Sequence, residues 1–293
     1  MPKANILHCR TKSLSVQNAF PSRLLWTMFT LISGVIAGGM CWKIAIEEFQ
    51  RHPTAGEVKL RSEQELDPPT TEQILFEMAQ LSFHLEEFLG QPIPRNAIEI
   101  NLFASSESFQ KFVTRKYPEL MERSALYVHG SPRQSSQILL YQHPDYLADL
   151  RHEWTHAALH RLFPGIPLWL DEGLAEYFEA PDDCRLTHPD NLEKFRKQLA
   201  AGWQPNLKRL EQKTLLSEFQ SEEYHESWAW THFLRHGPPP AAQVFKEFMI
   251  ASQSDGSESR LSELLESHFA QPEVDLITHI EEWSRRYPRK DQK

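Results

Sequence analysis

Two short stretches, HEWTH at residues 152–156 and DEGLAE at 171–176, constrain this 293-residue chain more than any other feature. Each sets titratable side chains at i and i+4, the spacing that brings them onto one face of an α-helix. Glu172 follows His156 by 16 residues, room for one helix to end, a turn over 163–167, and a second helix that starts after Pro167 and comes back. A fold that honours both stretches holds two consecutive helices side by side, with His152, His156, Glu172 and Glu176 between them.

The surrounding pattern extends this core in both directions. Over 71–89 the residues Ile74, Met78, Leu81, Leu85 and Phe88 keep helical spacing until Gly90 and Pro92. AIEINLF at 97–103 alternates apolar and polar residues as a half-buried strand does, and ALYV at 125–128 and QILLY at 137–141 predict two further short strands. A helix is predicted over 106–117. After Pro144 the helix carrying HEWTH begins, and further helices are predicted over 190–201, 225–236, 241–251, 259–269 and 273–286. Strands first and helices afterwards predict an α+β fold, a small mixed sheet of about three strands followed by a mainly helical domain. Trp154 and Trp169 are expected in its core.

Residues 24–42 contain no charged side chain, and at ~1.5 Å per helical residue such a run crosses an apolar layer of about 30 Å. Lys3, Arg10, Lys12 and Arg23 precede it with no acid among them, a bias that keeps the N-terminus in the cytosol. The expected organisation is a short cytosolic segment 1–23, a transmembrane signal-anchor or cleaved signal peptide at 24–42, a linker at 43–69 rich in polar and breaker residues, and a domain at 70–290. The domain is then extracytoplasmic, held at the membrane by its N-terminal helix, or secreted or periplasmic if the segment is cleaved. The net charge is -9, and all four basic residues before position 42 lie outside the domain. Nucleic acid is excluded as a partner, because its affinity comes mainly from Lys and Arg neutralising phosphates. Three scattered cysteines, Cys9, Cys41 and Cys184, make neither a disulfide framework nor a metal knuckle. Oligomeric state has no signature in this sequence.

The chemistry resides in the two helices. HExxH alone arises by chance in roughly one chain of this composition in fifteen, so it needs partners. On a helix the His152 and His156 imidazoles stand about 40° apart around the axis and one turn along it, and both reach one ion at ~2.0 Å. Glu153 points to the side, where it reaches water rather than the ion. His160 lies about 12 Å from His152 along the axis, too far to share the same ion. Glu172 is the candidate third ligand, and Glu176, one turn on, is placed to accept the N–H of a ligand histidine and fix its tautomer. Gly173 is expected to let the two helices approach closely.

HEWTH followed by PLWLDEGLAEYFE resembles the gluzincin metallopeptidases, and more closely the peptidase-MA-like domains that pair HExxH with WLxEGxAEYF. The resemblance covers 145–180 well and 190–236 more loosely. It implies a zincin-like fold, Zn2+ held by His152, His156 and Glu172, Glu153 as general base, and hydrolysis of a peptide or protein substrate. EYHESWAWTHFL at 223–234 is similar to a family helix in which a tyrosine, here Tyr224, hydrogen-bonds the oxyanion; His225 and His232 are neighbours that could take that role. The family further implies that the strand before the active-site helix, here SQILLY with Ile138, Leu139 and Leu140, is a sheet edge that pairs with an extended substrate. No GxMEN stretch precedes HExxH, which favours internal cleavage over removal of terminal residues. The alternative is a non-catalytic, zinc-containing extracytoplasmic binding or scaffold module.

Overall fold

The computed structural model describes residues 50–51, 58–95, 97–118, 123–130, 135–252 and 260–287. The expected segments 1–23 and 24–42, with Cys9 and Cys41, lie outside them. No helix among the described residues is long and apolar enough to cross a membrane.

The fold is α+β, mostly helical, with a mixed five-stranded sheet. Its strands are β1 (Gln50–Arg51), β2 (Val58–Ser62), β3 (Ile98–Phe103), β4 (Ala125–Val128) and β5 (Ser136–Tyr141), in the spatial order β1-β2-β3-β5-β4. The central three run parallel, and the outer pairs β1/β2 and β4/β5 are antiparallel. Parallel neighbours need a crossover connection. Helix α1 (Pro68–Leu89) supplies it between β2 and β3, entered through Asp67, whose side chain accepts from the Thr70 N–H at 2.8 Å, and ended by Gly90 at φ 69.

Two differences from the sequence expectation bear on function. Val58–Ser62, inside the stretch expected as linker, is a sheet strand whose Val58, Leu60 and Ser62 are buried. Five residues amid breakers are too few for composition to separate from a linker; the pairing with β3 decides it. The second difference concerns the expected edge strand. β5 is hydrogen-bonded on both sides, and its Ile138, Leu139 and Leu140 are fully buried, so the outermost strand on that side is β4. The continuous apolar run ILL is itself the mark of a strand covered on both faces.

β3 also departs from the half-buried pattern, since all six of its residues are buried. Ile98, Ile100 and Leu102 join the main core with Ile74, Met78 and Leu85 of α1. On the other face Phe103 packs against Phe109 and Phe112 of α2 (Ser106–Lys116), while the covered Glu99 is answered by Arg61 at 3.0 Å and the Gln137 amide at 2.9 Å.

The helical part follows with α3 (Tyr146–Leu162), α4 (Leu168–Glu179), α5 (Asp182–Arg185), α6 (Pro189–Ala200), α7 (Leu207–Glu211), α8 (Ser221–His236), α9 (Pro239–Ala251), α10 (Leu261–His268) and α11 (Pro272–Arg286). The longer ones match the predicted spans to within a few residues; α5 and α7 are too short to show a period. α3 is buried around most of its circumference between Leu150 and Leu159, and the Trp154 indole N–H donates to Ser82 of α1 at 3.1 Å. That contact ties the HEWTH helix to α1, and Trp169 is fully buried on α4.

Candidate active site

α3 and α4 place the three expected ligands together. The Nε2 atoms of His152 and His156 are 3.1 Å apart, and Glu172 Oε2 lies 3.6 Å from the first and 3.7 Å from the second. A point equidistant from these three atoms is about 2.0 Å from each, the bond length zinc takes to imidazole nitrogen and carboxylate oxygen. The donor set therefore fits Zn2+.

The outer nitrogens of both imidazoles meet carboxylates. His152 Nδ1 is 3.4 Å from Glu179 Oε2, and His156 Nδ1 is 2.9 Å from Asp171 Oδ1. Asp171 turns its other oxygen to His160 Nε2 at 2.8 Å, which is where the third histidine of the series goes. Glu176, expected to hold a ligand histidine, lies within 4.8 Å of both His152 and Glu179, and the carboxylate directly on the His152 ring is Glu179. Residue 179 is seven places after Glu172, two turns along the same helix face, so its position was available in the sequence. Asp171 carried no such sign: its role depends on α4 lying against α3 so that a residue one step from Glu172 reaches back to the second histidine.

These carboxylates draw positive charge into the site. Burial opposes protonation of His152 and His156, yet Glu172 and Glu179 hold the first well above its usual pKa, and Asp171 raises the second to about 9. The same field would stabilise a bound divalent cation. Burial raises the Glu153 carboxyl, which suits a group that must accept a proton. Glu176 is pushed up to about 7 by burial and by its neighbour Glu179.

His152 and Glu172 open onto a cavity of about 280 Å³ whose remaining wall includes Arg123, Asp149, Glu153, Glu176, Glu179 and Tyr224. Arg123, Ser124 and Ala125 run into β4, so the outermost strand among the described residues borders the cavity. Tyr224 enters from the first turn of α8, and burial, with Glu172 next, pushes its hydroxyl up to about 12. Of its two possible substitutes, His225 is 2.9 Å from Lys194 Nζ, and His232 faces a different cavity. Sequence reading missed Arg123, Asp149, Asp171 and Glu179.

Two contacts hold α8 in place. A side-chain carbon at Gly173 would stand 2.6 Å from the Ser227 carbonyl oxygen and 2.7 Å from Thr231 Oγ1. The close approach that this glycine allows is thus between α4 and α8, not between α3 and α4 as expected, because α8 packs its Ser227 and Thr231 onto the turn that carries Glu172. Arg209 of α7 forks onto Glu223 and Glu226 at 2.7 Å each, on either side of Tyr224 in the sequence.

The chain matches no protein-family model and no curated protein. Among solved structures it is similar to the M1 zinc metallopeptidase from Deinococcus radiodurans, at 16% identity and a TM-score of 0.40, over 82% of this chain and 51% of that one. A mutant of the same enzyme matches at 16% and 0.40, over 84% and 53%. The chain spans about half the length of these structures.

Proposed function

We propose that this chain is a zinc-dependent metallopeptidase, with His152, His156 and Glu172 as ligands, that hydrolyses peptide bonds in protein or peptide substrates. The observation carrying the reading is the meeting of three donors about 2.0 Å from a common point with Glu153 and Tyr224 on the wall of the same cavity. When bound, zinc would supply a Lewis acid that polarises a carbonyl and acidifies water. Glu153 takes the proton of the attacking water and delivers it to the departing amine. Tyr224 donates its hydroxyl hydrogen, which the high pKa keeps in place, to the developing oxyanion. Asp171 and Glu179 orient the two imidazoles. β4 is the outermost strand beside the cavity among the described residues, and strand pairing at such an edge holds an extended peptide with little regard for its side chains.

In the same proposal the uncharged run 24–42 anchors the chain in a membrane and leaves the domain on the extracytoplasmic side. Its basic, acid-free flank supports this orientation.

The test is a peptide-library digest by full-length protein and by Glu153→Gln, with metal content measured on both. Zinc near one equivalent at this site in each, with turnover reduced about 10²–10⁴-fold in the variant, is expected. A zinc-loaded wild type that binds peptides without cutting them would replace the peptidase with a binding module.

A further inference from the structure

A second group of imidazoles lies away from this cavity. His232 and His236 stand one turn apart on α8, and His279 faces them from α11. With Asp275, Glu282 and Trp283 they line a separate cavity of about 310 Å³. We propose that His232, His236 and His279 form a second divalent-metal site, nitrogen-rich and suited to Zn2+ or an ion of similar preference.

The first site supplies the measure of what a metal-binding pair looks like in this protein. There the facing nitrogens are 3.1 Å apart and the ring centres 4.8 Å apart. His232 Nδ1 and His279 Nε2 are 2.9 Å apart with ring centres at 5.1 Å, and the His232 and His236 rings are 4.7 Å apart. Imidazoles sharing one tetrahedral ion at ~2.0 Å have ring centres about 5 Å apart, so both ring separations from His232 fit.

The tautomer is set by the surroundings. His232 Nε2 lies 3.3 Å from the Leu186 carbonyl oxygen, which can only accept; Nε2 therefore carries the hydrogen and Nδ1 the lone pair, directed at His279. A backbone carbonyl on the far nitrogen is a common support for a metal-bound histidine. The Trp283 indole N–H donates to the same carbonyl at 2.9 Å and holds that support in place. His236 Nε2 lies 2.7 Å from the Tyr177 hydroxyl, a contact it exchanges for the ion when it joins the pair.

All donor groups whose atoms already lie within 4.8 Å of one another, among the described residues, include His152 or His156. At the second cluster the His232/His279 pair is set, and His236 completes the site by turning about its side chain. Asp275, one turn before His279, or Glu282 offers the fourth ligand.

The test is a Zn2+ titration of full-length protein in which His152→Ala/His156→Ala has removed the first site. One equivalent of bound zinc is expected to remain, and to fall to none on adding His279→Gln. His236→Gln gives the same loss by a second route, should the first substitution unfold the chain. Metal that disappears with His152→Ala/His156→Ala overturns the second site and leaves the peptidase reading standing. Retention in both the His279 and His236 variants overturns it equally. If the wild type binds a single equivalent, and that equivalent survives His152→Ala/His156→Ala but not His279→Gln, the second site stands and the first is overturned.

Discussion

The two imidazole clusters share a spacing and differ in everything around it. His152 and His156 on α3 and His232 and His236 on α8 are both i, i+4 pairs met by a donor from another helix. At the first, Asp171 and Glu179 stand on the outer nitrogens, and the two histidines are drawn above their ordinary pKa despite burial. At the second, the outer contacts are a carbonyl and a phenol; burial and neighbouring imidazoles lower His232, and burial takes His236 and His279 to about 4. The first cluster thus collects positive charge beside Glu153, whose carboxyl burial raises, whereas the second keeps its rings neutral. Spacing creates the opportunity to bind metal, and the carboxylates around it create the opportunity for hydrolysis.

The comparison is tested most severely at Tyr224. Tyr224→Phe should lower kcat by about 10²–10³-fold with metal content unchanged, as loss of an oxyanion donor does. A change confined to KM would move Tyr224 from the reaction to substrate binding. Next comes Asp171, which the second cluster lacks. Asp171→Ala should weaken zinc affinity at the first site by about 10–100-fold in competition with a chelator, and Glu179→Gln by less, since Glu179 is 38% exposed and its contact longer. Equal affinities in all three proteins would show that the outer carboxylates do not separate the clusters. The smallest effect is expected at the contact that joins α4 to α8. Gly173→Ala forces a carbon against the Ser227 carbonyl and should cost about 1–3 kcal/mol in denaturant unfolding. An unchanged midpoint would mean that α8 can move without penalty, and with it Tyr224.

Much of the first site was legible because its signals are local. HExxH and ExxxE need only the helical repeat to put their side chains on one face, and the proline-flanked turn between them limits how the helices can be arranged. Glu179 stands in the same repeat, two turns beyond Glu172, where the spacing alone does not separate it from the nearer Glu176. The sheet was less legible. VKLRS is too short to stand out from a polar stretch, and no pattern within β4 or β5 says which of two adjacent strands lies outermost.

By itself the sequence determined the α+β order, the long helices, and the sharing of one helix face by His152 with His156 and by Glu172 with Glu176, since these follow from apolar periodicity and from i, i+4 geometry within single segments. Only the tertiary structure decided that β4 lies outside β5 among the described strands, that Glu172 meets His152 and His156, that Gly173 serves α8, that Asp171 reaches His156, and that His232 meets His279 across 47 residues of chain. Each of those depends on which surfaces of separate elements exclude water together, a choice made by packing rather than by any one stretch of residues.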